Sequence, residues 1–200
     1  MKVLEVSARK GGVGTTTVAC ALALKLAEHN RDKVLLIDTS ENTEAFSVLG
    51  VANPIGRNSI SFGEHNLTVV NIPLAEVNNG LSVSQYEFVV IDAGKSEVDK
   101  SYFGLTPFRV AVVRNSYLSL RAESITRASK DAVVSIHDDK NVLTVGDTEN
   151  VLRGSAVTVL PLDEAISRAI DAGLFSSRAN LWSKTADEFV RRHELSTASV

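Results

Sequence analysis

The chain has 200 residues, 44% of them hydrophobic, and a formal net charge of −3, which suits one folded domain over residues 1–200 and excludes a protein that coats polyanions by bulk positive charge. A single cysteine, Cys20, excludes an internal disulfide framework, and within an apolar helical stretch it reads as a small core residue in a reducing, cytoplasmic setting. No apolar run approaches the ~20 residues that span a bilayer, and Met1 leads into a strand, so neither a membrane span nor a signal peptide is expected.

Val3 to Val6 reads as a short buried strand running into Ser7-Ala8-Arg9-Lys10-Gly11-Gly12-Val13-Gly14-Thr15-Thr16-Thr17. An apolar helix follows, predicted over residues 15–29, with Ala19, Leu22, Ala23, Leu26 and Ala27 on its buried side. A strand, a glycine-rich turn and a helix form the context in which backbone N–H groups and a helix N-terminus wrap a phosphate. The plain alternative is a turn whose glycines only relieve crowding. Lys10 ahead of the glycines and Thr16 at a position suited to a magnesium-binding hydroxyl argue for phosphate.

Val34 to Ile37 is a continuous apolar run of the kind covered on both faces in a parallel sheet. It ends in Asp38, which at a carboxyl-terminal strand edge faces a ligand crevice or else caps the next turn. Ser59 to Phe62 and Leu67 to Ile72 read as a strand pair near the sheet edge, with His65 in the intervening turn rather than a metal ligand. Tyr86 to Ile91 is the next strand, and Asp92 at its end suits a carboxylate that holds a water of a magnesium shell opposite the loop hydroxyl. Lys95 stands just beyond as an exposed loop lysine or a substitute cation.

Arg109 to Val113 is read as a strand, Ser116 as a helix cap, and residues 117–134 as one helix carrying Arg121, Arg127 and Lys130 on a solvated face. Asn141 to Val145 is expected to be a strand, 147–153 a short helix or loop, and Ala156 to Leu160 the last strand, ending in Pro161-Leu162-Asp163. Residues 180–195 suit an amphipathic helix with Leu181, Trp182, Thr185, Phe189 and Val190 on one side. Its acids, Asp187, Glu188 and Glu194, favour packing on its own domain, over about residues 178–195, above a membrane surface. Residues 196–200 are expected to fray. The alternation of strands and helices implies an α/β architecture, a mostly parallel sheet flanked by helices on both faces, with its ligand at the carboxyl edge.

At Lys10 to Gly14 and Thr16 to Thr17 the chain resembles the ParA/MinD family of deviant-Walker P-loop ATPases, whose loop reads Lys-Gly-Gly-Val-Gly-Lys-Thr-Thr. Residues 38–50 resemble the family's second motif, which begins Asp-x-Asp and ends Leu-Gly. Residues 157–173 resemble its proline-containing loop beside the adenine. The resemblance implies ATP or ADP with Mg2+ on Gly11, Gly12, Val13, Gly14, Thr15, Thr16 and Thr17, Mg2+ organised by Thr16 and Asp92, and Pro161 and Asp163 beside the base. It further implies catalytic roles for Lys10, acting across a nucleotide-linked homodimer, and for Asp38, and a process of DNA partition or intracellular positioning with a partner of ParB or positioning type. Two departures weaken hydrolysis: Thr15 replaces the loop lysine and Ser40 the water-orienting acid. The loop is also similar to the CpaE/TadZ branch, which makes a catalytically inactive scaffold the alternative. DNA binding is expected to be weak and non-specific, centred if anywhere on Arg121, Arg127 and Lys130.

Overall fold

The computed structural model describes residues 1–29, 33–51, 59–62, 66–96, 100–126, 129–153, 157–162 and 164–195. Among them are eight strands: β1 (Lys2–Ala8), β2 (Val34–Asp38), β3 (Ser59–Phe62), β4 (Leu67–Asn71), β5 (Phe88–Lys95), β6 (Phe108–Arg114), β7 (Ala132–His137) and β8 (Val157–Pro161). The helices are α1 (Thr15–His29), α2 (Glu44–Leu49), α3 (Val77–Gly80), α4 (Tyr117–Ser124), α5 (Val145–Val151), α6 (Glu164–Asp171) and α7 (Ser183–Arg192), with a 3₁₀ turn at Ser176–Leu181. The strands form one sheet in the order β3-β4-β2-β5-β1-β6-β7-β8. Only β3 runs antiparallel, against β4 at the edge; the other six pairings are parallel. The expected α/β class and edge strand pair are both present.

Alternate residues of the strands feed opposite faces, as the period of two requires. Leu4, Val6, Leu36, Val90, Val112 and Val134 meet α1, α2 and α7 in one core cluster. Val3, Leu35, Ile37, Val89 and Ile91 join Val77 and Tyr102 on the other face, and Ala111, Val113, Val133 and Val157 meet Leu120 and Leu152 there. Helix α1 is apolar on every side from Val18 to Leu24, because it is enclosed by the sheet, α2 and α7. Cys20 is fully buried within it. From α7 and the residue before it, Trp182, Ala186, Phe189 and Val190 are buried against this same core, and the Trp182 indole N–H donates to the Phe175 carbonyl at 3.0 Å. Among the described residues no helix is long and apolar enough to cross a membrane.

Two expectations for the middle of the chain are corrected. The helix predicted over 117–134 ends at Ser124, and Ala132-Val133-Val134-Ser135-Ile136-His137 is β7, paired on both sides by β6 and β8. Its β-branched residues gain more as a doubly covered strand than as a final helical turn. The strand predicted over 141–145 is absent. Asn115 instead pins residues 138–143: its amide donates to the carbonyls of Asp138 and Leu143 and accepts from the Asp138 N–H. Helix α5 then starts on a capping box, Thr144 accepting from the Asp147 N–H and Asp147 from the Thr144 N–H. Ser116 occupies the N-cap position of α4 but makes no capping hydrogen bond there. His65, Arg127, Asp163 and residues 196–200 lie outside the described residues.

Candidate functional site: a phosphate loop and two strand-end acids

The loop after β1 opens α1 directly, with the Val18 N–H donating to the Gly14 carbonyl at 3.1 Å. Gly12 has φ 73° and Gly14 φ 101°, conformations that side chains oppose. At Gly14 a Cβ would also stand 2.2 Å from Ile136 Cδ1, the tip of a side chain that would have to turn aside where the loop crosses the end of β7. Thr15 and Thr16 are half-buried, Thr17 is buried, and Lys10 is exposed at the start of the loop. Arg9, one residue earlier, approaches the buried Glu123 of α4 at 3.9 Å, and Lys130 meets the same carboxylate at 3.3 Å.

The loop faces an open crevice along the carboxyl edge of the sheet. Glu41, Glu44, Asp92 and Asp171 line it with Lys95 and the threonines of the loop. Asp38 and Asp92 are register partners on the neighbouring parallel strands β2 and β5, and both are buried, at 0% and 2% exposure. Their surroundings differ. Asp38 Oδ1 accepts the Ser40 N–H at 2.8 Å and Oδ2 the Ala45 N–H at 3.0 Å, so the acid ties down the loop after β2 and the start of α2. Asp92 Oδ1 accepts the Gly94 N–H at 3.2 Å, whereas its Oδ2 has no hydrogen-bond partner among the described residues. Burial pushes the Asp92 carboxyl up to about 6, the Thr16 hydroxyl beside it pulls it down, and Asp38 and Glu44 push it up again. The same negative field, after burial, holds the Cys20 thiol well above its ordinary value.

Two further hydrogen bonds complete the edge. The Ser40 hydroxyl accepts the Glu44 N–H at 2.9 Å, and the Thr39 hydroxyl donates to the Asp92 carbonyl at 2.7 Å. Glu44 then turns back to the loop, where its Oε2 accepts the Thr16 hydroxyl at 3.2 Å. Sequence reasoning missed Glu44. The available signal was an acid in the first turn of the helix after Asp38, which is also the ordinary preference of a helix start.

On the far side of the loop a second cavity, about 190 Å³, is lined by Val13, Thr17, Arg114, Ile136, Pro161 and Ile166 among others. Its walls mix the apolar Val13, Ile136, Leu160, Ile166 and Ile170 with the polar Thr17, Arg114 and Asp171, a combination that suits a flat ring with polar edges beside a phosphate cradle. Pro161, the last residue of β8, lines it, while Arg114 and Ile136 come from strands whose ends the sequence did not connect with the loop. The fit to a nucleotide therefore rests on three observations: the left-handed backbone at Gly12 and Gly14, the Asp92 Oδ2 left without a hydrogen bond among the described residues beside the Thr16 hydroxyl, and the adjoining cavity of mixed lining.

The family model of an AAA domain matches residues 1–99. Solved structures align over nearly the whole chain. MinD in the MinC:MinD cell division complex of Aquifex aeolicus is 18% identical, with TM-score 0.72, covering 100% of this chain and 98% of that one. The septum site-determining protein MinD complexed with Mg-ADP from Pyrococcus horikoshii OT3 is 16% identical, with TM-score 0.71 and 99% of both chains covered. A ParA family ATPase from Chlorobium tepidum TLS is 16% identical, with TM-score 0.67, covering 94% of this chain and 96% of that one. The chain has the ParA/MinD fold. The ParA/MinD resemblance read from the loop is thereby borne out. No curated protein matches the sequence.

Proposed function

We propose that the chain binds ATP or ADP with Mg2+ at the Gly11 to Thr17 loop and acts as a nucleotide-dependent dimerising switch in DNA partition or intracellular positioning, with very slow or no hydrolysis. The observation that carries this reading is the loop itself: bare, left-handed backbone at Gly12 and Gly14 opens a helix whose Thr16 lies beside a buried, half-satisfied Asp92. The like-folded MinD complexed with Mg-ADP supports the choice of ligand, and the MinC:MinD complex supports a protein partner of positioning type.

In this reading the backbone N–H groups of Gly11, Gly12, Val13 and Gly14 hold phosphate oxygens, and the hydroxyls of Thr15, Thr16 and Thr17 close the cradle. Thr16 and Asp92 hold the cation, which when bound neutralises charge on the outer phosphates. Pro161, at the rim of the second cavity, borders the base. Asp38 keeps the loop after β2 in place through the Ser40 and Ala45 N–H groups, and its catalytic role rests on the resemblance alone. Lys10, exposed, is directed to the nucleotide of a second subunit. The chain supplies no lysine at position 15 and no acid at position 40, so charge developing on a transferred phosphoryl group meets less compensation and hydrolysis is slow. DNA contact is expected to be weak: of the described basic residues on this side, Lys130 is engaged with Glu123 and Arg121 stands exposed.

A scaffold that keeps the fold without nucleotide turnover is the second reading. It is favoured by the crevice, where Glu41, Glu44, Asp92 and Asp171 face a single lysine, Lys95, among the described lining residues. Calorimetric titration with ATP, ADP and a non-hydrolysable analogue, with and without Mg2+, separates the two. Magnesium-dependent binding supports the switch; no heat at millimolar nucleotide, in a chain shown to be folded, leaves the scaffold.

A further inference from the structure

The Thr16 hydroxyl has one proton, and two carboxylates approach it. Glu44 accepts that proton at 3.2 Å, while Asp92, 2% exposed, keeps Oδ2 buried with no partner among the described residues. A hydroxyl and two carboxylates, from the loop, from α2 and from β5, thus line one crevice as neighbours. Lys95 is the sole lysine or arginine among the described residues that line this crevice, against Glu41, Glu44, Asp92 and Asp171. A hydroxyl between two like-charged groups leaves one of them unsatisfied, whereas a divalent cation satisfies all three oxygens together. Ligands at about 2.1 Å from an octahedral cation stand about 3 Å apart, close to the spacing of Thr16 Oγ1 and Glu44 Oε2.

We propose that Glu44 is a ligand of a divalent-cation site shared with Thr16 and Asp92, and that this site takes Mg2+ or Mn2+ before any nucleotide arrives. The inference deepens the reading of the loop as a nucleotide site and rests on it for the purpose of the cation. Glu44 thereby adds, from the first turn of α2, a carboxylate to the cation's ligands without replacing the water-orienting acid that position 40 lacks. It also makes phosphate binding conditional on the cation: with the site empty, a polyphosphate meets the negative Glu44 carboxylate, and with the site filled it meets positive charge. A bland role for Glu44, an acid favouring the start of α2, predicts no effect on cation affinity.

The test is Mn2+ binding to the full chain without nucleotide, followed by electron paramagnetic resonance of the unbound ion. One Mn2+ per chain is expected, displaced by Mg2+. Glu44→Gln weakens it about tenfold, as removal of one carboxylate ligand should. Glu164→Gln, an exposed acid paired with Arg168 on α6, leaves it unchanged. Because Glu44 is exposed, its variant does not depend on tolerance of a buried change. Asp92→Asn gives a second, independent loss. No bound Mn2+ up to about 10 mM, or a Glu44→Gln chain that binds Mn2+ like the parent, overturns the proposal. Calorimetry with ATP and Mg2+ distinguishes the two failures. Nucleotide binding with an unchanged Glu44→Gln Mn2+ affinity breaks this inference alone, and Mn2+ binding through Glu44 without nucleotide binding breaks the proposed function alone.

Discussion

β2 and β5 present the same residue, an aspartate, at the same register on adjacent parallel strands, β2 at its end and β5 three residues before its own, and they use it differently. At the β2 end both oxygens of Asp38 take backbone N–H groups of the following segment, so the carboxylate is committed to holding local structure. In β5, which continues past Asp92 to Lys95, one oxygen of Asp92 accepts the Gly94 N–H and the other is buried beside the loop hydroxyl without a hydrogen bond among the described residues. A buried acid with a full set of donors is a building element. One with an orphaned oxygen is a place where a cation or a proton belongs.

The strongest way to break this contrast is Asp38→Ala. It leaves two buried N–H groups without an acceptor and should cost about 3–5 kcal/mol of folding stability, read by urea unfolding. A loss below about 1 kcal/mol would mean that the segment after β2 does not depend on Asp38.

Thr15→Lys addresses the β5 side, where charge rather than structure is missing. It should tighten ATP binding by about 1.5–3 kcal/mol in calorimetry while raising phosphate release little, and Thr15→Lys with Ser40→Asp should raise both. The Ser40 hydroxyl accepts the Glu44 N–H, so an aspartate there can keep that bond while supplying charge. A parent chain that already hydrolyses ATP at a rate unaltered by either change would overturn the account of the site.

A smaller effect is expected from pH. The Asp92 carboxyl is raised from 3.8 to about 6, so the folded state binds the extra proton and cation-free stability falls as pH rises through that interval. Asp92→Asn should remove this slope and stabilise the cation-free chain at neutral pH by about 1–2 kcal/mol, read as thermal midpoints across a pH series. An Asn variant that melts lower than the parent at every pH would show that Asp92, like Asp38, is a structural acid.

The smallest effect concerns Lys10. Exposed at the start of the loop, it should change stability by less than about 0.5 kcal/mol when replaced by alanine, yet lower nucleotide-dependent dimerisation measured by light scattering. An unchanged monomer–dimer balance with nucleotide would remove the cross-subunit role.

By itself the sequence determined the outer architecture and the phosphate loop, because both rest on local rules. Continuous apolar runs ending in Asp38 and Asp92 can only be doubly covered strands, and glycines between a strand and an apolar helix leave few other turns. Residues 117–137 defeated the same rules: leucine, alanine and isoleucine spaced at helical intervals run straight into Val133, Val134 and Ile136, and only pairing with β6 and β8 decides that the latter are strand. The meeting of Glu44 with Thr16, the different fates of Asp38 and Asp92, and the placing of Arg114 and Ile136 beside the loop were likewise decided by tertiary structure. Each depends on side chains separated by tens of residues reaching one point in space, and the number of donors left at that point is a property of the assembled edge, not of any segment of chain.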